Sequence, residues 1–187
     1  MQQIISRSIK KHKEALRLIE AKYKIINKIA KLIINSLENN GKIIFMGNGG
    51  SASDAQHLAA ELVGRFKKNR KPLAAISLSA NIATLTAVGN DFGFEEIFSR
   101  QIESLAKKDD VVVGISTSGN SRNVINAITQ AKRLKLKTVG FLGNNGGALG
   151  RLVDVALTVP ICDTPRIQEM HIMAGHIICE IVEEHFV

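Results

Sequence analysis

Two short turns, and a few imidazole, carboxylate and carboxamide side chains, carry most of the chemistry open to this 187-residue chain. The turns are Gly47-Asn48-Gly49-Gly50-Ser51 and Ser116-Thr117-Ser118-Gly119-Asn120-Ser121. Each follows an apolar run that reads as a buried strand, Lys42-Ile43-Ile44-Phe45-Met46 and Val111-Val112-Val113-Gly114-Ile115, and each opens a helical pattern. A helix start offers unpaired backbone N–H groups and the positive end of the helix dipole, so an anion is favoured there. Ser116, Thr117, Ser118 and Ser121 add hydroxyls with no acidic side chain among them, a combination suited to a phosphate group. In the first turn the glycines let backbone approach a ligand closely, although Gly-rich turns are also common structural devices. Neither turn is a GxGxxG dinucleotide fingerprint or a GxxxxGK[ST] phosphate loop.

His57 and Glu61 lie four residues apart on the helix after the first turn, so both project from one face. Such a pair can bind a metal or perform acid/base work; a lone pair of this kind is more often a surface hydrogen bond, and its position near the mouth of a phosphate pocket raises the odds of the chemical uses. The last helical segment carries Arg166, Gln168, Glu169, His171 and His176. Helical geometry leaves both Gln168 and Glu169 open as companions of His176. His12 and His185 fall where structural roles are expected. Asn90 and Asp91 stand at the tip of what reads as a turn, Val88–Phe94, where they either cap the next helix or meet a substrate hydroxyl.

These residues must be held by regular elements. Residues 3–39 contain no Gly or Pro and predict one long helix or two abutting ones. Leu16, Ile19, Tyr23, Ile26, Ala30, Ile33 and Leu37 follow a 3,4 stride, broadened by Leu18, Ile25, Ile29 and Leu32. A face this wide suits either a helical bundle shared between subunits or packing on the chain's own domain. From Gly41 the pattern alternates: strands are expected at 42–46, 73–77, 110–115, 137–142 and 154–159, and helices at 51–66, 79–88, 94–106, 121–134 and 165–185. That order predicts an α/β fold with a five-stranded parallel sheet between helical layers, in one domain of residues 1–187. Residues 1–40 form its helical extension and 41–187 its core. Ligands of such sheets sit at the carboxyl ends of the strands, where both turns fall.

Composition narrows the setting. Apolar content of 45% and charged content of 22% are ordinary for a globular domain. No apolar run approaches the length of a membrane span, and Cys162 and Cys179 form no CxxC pair, so a reduced cytoplasmic setting with no membrane partner is expected. The net charge of +8 gathers largely in residues 1–40. It reads as a solvated helix face rather than a nucleic-acid surface, since no helix-turn-helix or zinc-finger pattern accompanies it.

Taken together, Gly47–Ser51, Asp54–Arg65, Gly89–Phe94, Gly114–Ser121 and Arg166–His171 make the chain resemble the phosphoheptose isomerases, the sedoheptulose 7-phosphate branch of the sugar isomerase (SIS) domain proteins. The resemblance runs from about Gly41 to the C-terminus. It implies a three-layer flavodoxin-like α/β/α sandwich and a homotetramer with active sites at subunit contacts. The implied reaction converts sedoheptulose 7-phosphate to D-glycero-D-manno-heptose 7-phosphate, at the start of nucleotide-activated heptose synthesis for lipopolysaccharide or capsule. By resemblance, Ser116, Thr117, Ser118 and Ser121 hold the phosphate, Asn48, Gly49, Gly50 and Ser51 line the substrate, and Asn90 and Asp91 contact the sugar. His57, Glu61, Gln168 and His176 match zinc positions, one ion per subunit, with Glu61 and Gln168 also at the substrate. Glu61 is then the expected base and His176 its acid/base partner. The competing expectation is a non-catalytic SIS-domain scaffold of the replication-initiator-associating type.

Overall fold

The computed structural model describes residues 1–187. Two abutting helices, α1 (Gln2–Glu20) and α2 (Tyr23–Glu38), precede an alternation of β1 (Ile43–Gly47), α3 (Gly50–Val63), β2 (Ala75–Ser77), α4 (Ile82–Phe92), α5 (Ser99–Leu105), β3 (Val111–Ser116), α6 (Arg122–Arg133), β4 (Lys137–Gly143), α7 (Leu149–Leu152), β5 (Val155–Val159) and α8 (Thr164–His185). The five strands are parallel in the order β2-β1-β3-β4-β5. The chain leaves β1 toward one edge and returns at β3 toward the other. The loops after β1 and β3 therefore flank the switch point, the place where open α/β sheets take ligands.

Period-two alternation explains the two helical layers. Ile43, Phe45, Val111, Val113, Ile115, Val139 and Phe141 face α1, α2, α3 and α8 in one core. Ile44, Met46, Val112 and Leu142 face α5, α6 and α7 in a second. Strands buried on both faces read as continuous apolar runs, which is why β1 and β3 are legible in sequence. Right-handed crossovers running in opposite directions along the sheet deliver α3 to one face and α5, α6 and α7 to the other. Helix α8, which follows the last strand, folds back onto the α3 face and packs beside it.

Several boundaries differ from expectation. β2 begins at Ala75 rather than residue 73. α3 ends at Val63, because the chain at Gly64 leaves helical geometry and residues 64–74 form a loop. The segment expected as a helix at 94–106 divides into a 3-10 turn, Phe94–Glu96, and α5. The largest correction is at Asn90 and Asp91, which lie in the last turn of α4 and not in a loop. Gly93, at φ +92°, is the residue that ends this helix, whereas Gly89 is helical.

The broad apolar face of α2 packs on its own domain: Ile26, Ile29, Ala30 and Ile33 are buried against the sheet and α8. Ile4, Ile5 and Ile9 of α1 remain exposed. Nothing in the local sequence marks the break at Ala21–Lys22. Lys24, Lys28 and Lys31 point to solvent on α2 without an ion pair. No helix is long and apolar enough to cross a membrane.

Candidate active site

The second turn folds as its hydroxyls require. Ser116 Oγ lies 2.9 Å from Ser121 Oγ and 3.4 Å from Ser118 Oγ, and it accepts the Gly119 N–H at 3.2 Å. Ser118 Oγ accepts the Asn120 N–H at 3.1 Å. Ser121 is the N-cap of α6 but makes no side-chain cap bond, so its hydroxyl is turned to the cluster, and of the first N–H groups of α6 those of Arg122 and Asn123 stay available. Thr117 is half-buried beside them. Three serines thus converge on one helix start, with no carboxylate hydrogen-bonded among them.

The first turn sits beside it. Gly49, at φ +54°, caps α3, Asn48 is half-buried and Ser51 is buried in the first turn of α3. Gly50 allows a close approach: a Cβ there would stand 2.3 Å from Gln168 Nε2. The carboxamide of Gln168 therefore lies against the start of α3. Glu169 instead bonds His12 Nδ1 at 2.7 Å and Arg166 at 2.6 Å, so of the two it is Gln168 that is turned to α3. Arg166 also donates to the Ser8 carbonyl, tying α8 to α1.

Deeper along the same layer, His57 and Glu61 of α3 meet His176 of α8. His57 Nε2 is 2.8 Å from His176 Nε2 and 3.2 Å from Glu61 Oε1. Gly175 makes this meeting possible, since a Cβ there would strike Leu58 Cδ2 at 2.6 Å. Burial first, and then the His57 ring, lower the pKa of His176 against the opposing pull of Glu61. His176 is accordingly a neutral imidazole near pH 7, able to give or accept a proton. The Phe66 ring stacks 5.5 Å from it. His57 has 47% of its side chain exposed, so the cluster is open to water on that side.

The same three residues fit a divalent cation. Their ligand atoms lie within 4.8 Å of one another. A tetrahedral zinc with bonds near ~2.0 Å asks for ligand atoms about 3.3 Å apart, close to the spacings found, and two His with one Glu is a known catalytic zinc set. Asn90 and Asp91 are exposed and bonded to each other at 2.9 Å, and neither is hydrogen-bonded to either turn.

Two features were not anticipated. Asn123, buried behind the second turn, pairs with Asn48; a single Asn in a helical run gives no sequence signal. Asp54, one turn before His57, has a buried Oδ2 without a partner. Burial pushes its carboxyl up to about 6, although His57 draws it down. The proton is therefore held more tightly folded than unfolded: its stabilising effect is complete below the ordinary value of 3.8 and is lost as pH rises through about 6. Asp54→Asn is expected to raise the stability of chelator-treated protein by about 1–2 kcal/mol at pH 8, after discounting for solvent screening at a half-buried site, and by almost nothing at pH 4. Melting curves across that range check it; a gain independent of pH would contradict it.

A parallel sheet with a hydroxyl cradle at its switch point, and a carboxylate and imidazole beyond it, defines a sugar-phosphate-handling α/β protein of the SIS class, and the SIS domain family matches residues 9–143. The chain belongs to the phosphoheptose isomerase family of SIS-domain enzymes. It is 53% identical over 184 residues to a phosphoheptose isomerase of Helicobacter pylori, covering 98% of this chain and 96% of that one. The phosphoheptose isomerase of a Nitratiruptor species is 57% identical over 155 residues, 83% of each chain. Among solved structures, the phosphoheptose isomerase from Neisseria gonorrhoeae superposes with a TM-score of 0.93 at 38% identity, covering 98% of both chains.

Proposed function

We propose that this enzyme interconverts sedoheptulose 7-phosphate and D-glycero-D-manno-heptose 7-phosphate. The observation that carries the reading is the meeting of Glu61 with His57 and His176 in the layer that also holds the first turn. Ser116, Thr117, Ser118, Ser121 and the N-terminus of α6 grip the phosphate, while Asn48, Gly49, Gly50, Ser51 and Gln168 line the sugar. Asn90 and Asp91 complete the contacts to its hydroxyls. Ketose-to-aldose conversion removes a proton from C1 and returns one to C2 through a cis-enediol. Glu61 takes the C1 proton and delivers it to C2. His176, neutral at working pH, protonates the C2 oxygen as the enediol forms and accepts the O1 proton as the aldehyde appears. A scaffold that only binds a partner has no use for such a pair.

We assign His57, Glu61, Gln168 and His176 as holders of one zinc ion per subunit. Bound there, zinc supplies Lewis-acid polarisation of the substrate's carbonyl and hydroxyl oxygens. The working form is a homotetramer with active sites at subunit contacts. Supporting this, α4 has no buried residue although it carries Ile82 and Phe92, Ile4, Ile5 and Ile9 are bare, and His57 needs cover to exclude water. Two free cysteines suit the cytoplasm, and the product suits a nucleotide-activated heptose for lipopolysaccharide or capsule.

Incubation with sedoheptulose 7-phosphate, followed by NMR, is expected to yield the aldose phosphate. Chelation should suppress turnover, and zinc titration should restore it at one ion per chain. No turnover by zinc-loaded oligomer would replace this reading with the scaffold.

A further inference from the structure

We infer that Asn123 is a positioning residue that locks the two substrate turns together and aims the Asn48 carboxamide; this rests on the substrate-binding role proposed above. The two carboxamides are joined by reciprocal hydrogen bonds, Asn48 Nδ2 to Asn123 Oδ1 and Asn123 Nδ2 to Asn48 Oδ1, each 2.9 Å long. Asn123 Oδ1 also accepts the main-chain N–H of Val124 at 2.9 Å, and the residue is 2% exposed.

That third bond fixes the orientation of the whole pair. A backbone N–H can only donate, so the atom facing Val124 must be the oxygen of Asn123, and its two lone pairs are then both used. The amide group of Asn123 must consequently face Asn48 Oδ1, and Asn48 must return one of its own N–H groups. Asn48 keeps one N–H and one oxygen lone pair unspent, in a direction set by a residue on the other turn. The clamp bridges the end of β1 to the start of α6, so the distance between sugar-binding and phosphate-binding turns is held by side chains as well as by the sheet.

Asn123→Asp is nearly isosteric and tests this. The carboxylate keeps the bond from Val124 but sets a second acceptor against Asn48 Oδ1, so Asn48 must turn away. The ketose phosphate KM, and its Kd by calorimetry, are expected to rise about tenfold, with kcat changed less than about threefold. In an Asn48→Ala background the same substitution should change KM by less than about twofold, because Asn123 acts through Asn48. A lowered melting temperature with KM and Kd unchanged, or additive effects of the two substitutions, would overturn the inference while leaving the isomerase reading intact. Binding without turnover by the unaltered enzyme would remove the isomerase reading and leave the clamp to be judged on Kd. Neither binding nor turnover would remove both.

Discussion

Glu61→Gln is expected to reduce kcat by about 10³-fold or more, leaving KM within a few-fold of the parent. The amide matches the carboxylate in shape but cannot accept a proton, and removing a positioned general base commonly forfeits ~10²–10⁴-fold. Phosphate binding should persist, because no hydrogen bond or ion pair links Glu61 to the serine cluster around Ser116. Single-turnover kinetics with C1-deuterated ketose phosphate separate the roles. Loss of exchange with solvent at that carbon is the expected result. Retained exchange would remove Glu61 from proton transfer and limit it to holding the cation with His57 and His176.

The second large effect lies behind the site. Glu183 accepts the N–H groups of Phe66, Lys67 and Lys68 at 2.7–2.9 Å. Its Oε1 is 3.3 Å from Arg70 Nε, with the two side chains 2% and 1% exposed. Arg70 in turn donates to the carbonyls of Glu61, Leu62 and Lys71 at 2.8–3.0 Å. One ion pair therefore ties the C-terminal end of α3, the Phe66 loop and α8 together, behind Glu61 and His176. Glu183→Ala strands the Arg70 charge and leaves the loop N–H groups without their acceptor. Breaking such a pair costs about 3–5 kcal/mol, or a melting temperature lower by roughly 10 °C for a chain of this size. Burial raises the Glu183 pKa, but the three N–H groups and Arg70 outweigh it and hold the carboxyl below the usual range. The pair's contribution is thus present above the ordinary carboxylate value and disappears as pH falls through the depressed one. A melting temperature within about 3 °C of the parent, with unchanged activity, would show that the loop holds itself.

The carboxamide clamp and the buried ion pair have a common purpose. The site is assembled from elements far apart in the chain, and each joint between them is closed by polar groups whose hydrogen bonds admit few alternatives. Substitutions at the joints should therefore affect turnover without touching substrate.

Much of the site was legible from residue types alone. Strands buried on both faces declare themselves as apolar runs, and hydroxyls gathered at a helix start mark a place where an anion is favoured. An i,i+4 His–Glu pair necessarily shares a face, whatever the tertiary arrangement. The start of the last helix, expected at 165 and found at Thr164, could be read as well, because Pro165 favours the first helical turn. The helix ending at Gly93 was missed because both Gly89 and Gly93 look like terminators, and only the backbone sign at Gly93 distinguishes them.

What sequence determined was the direction of each side chain on its own element, since helical and strand periods are local. What only the tertiary structure decided was which elements meet. His57 and His176 are 119 positions apart, and no spacing rule relates them. Their contact follows from the folding back of α8, after the last strand, onto the face that holds α3, and from Gly175, whose missing side chain lets Leu58 come close enough for the two imidazoles to touch. Gln168 rather than Glu169 lies against the start of α3 because the rotation of α8 is fixed when its buried face, Ile167, Met170, Ala174 and Ile178, meets the core.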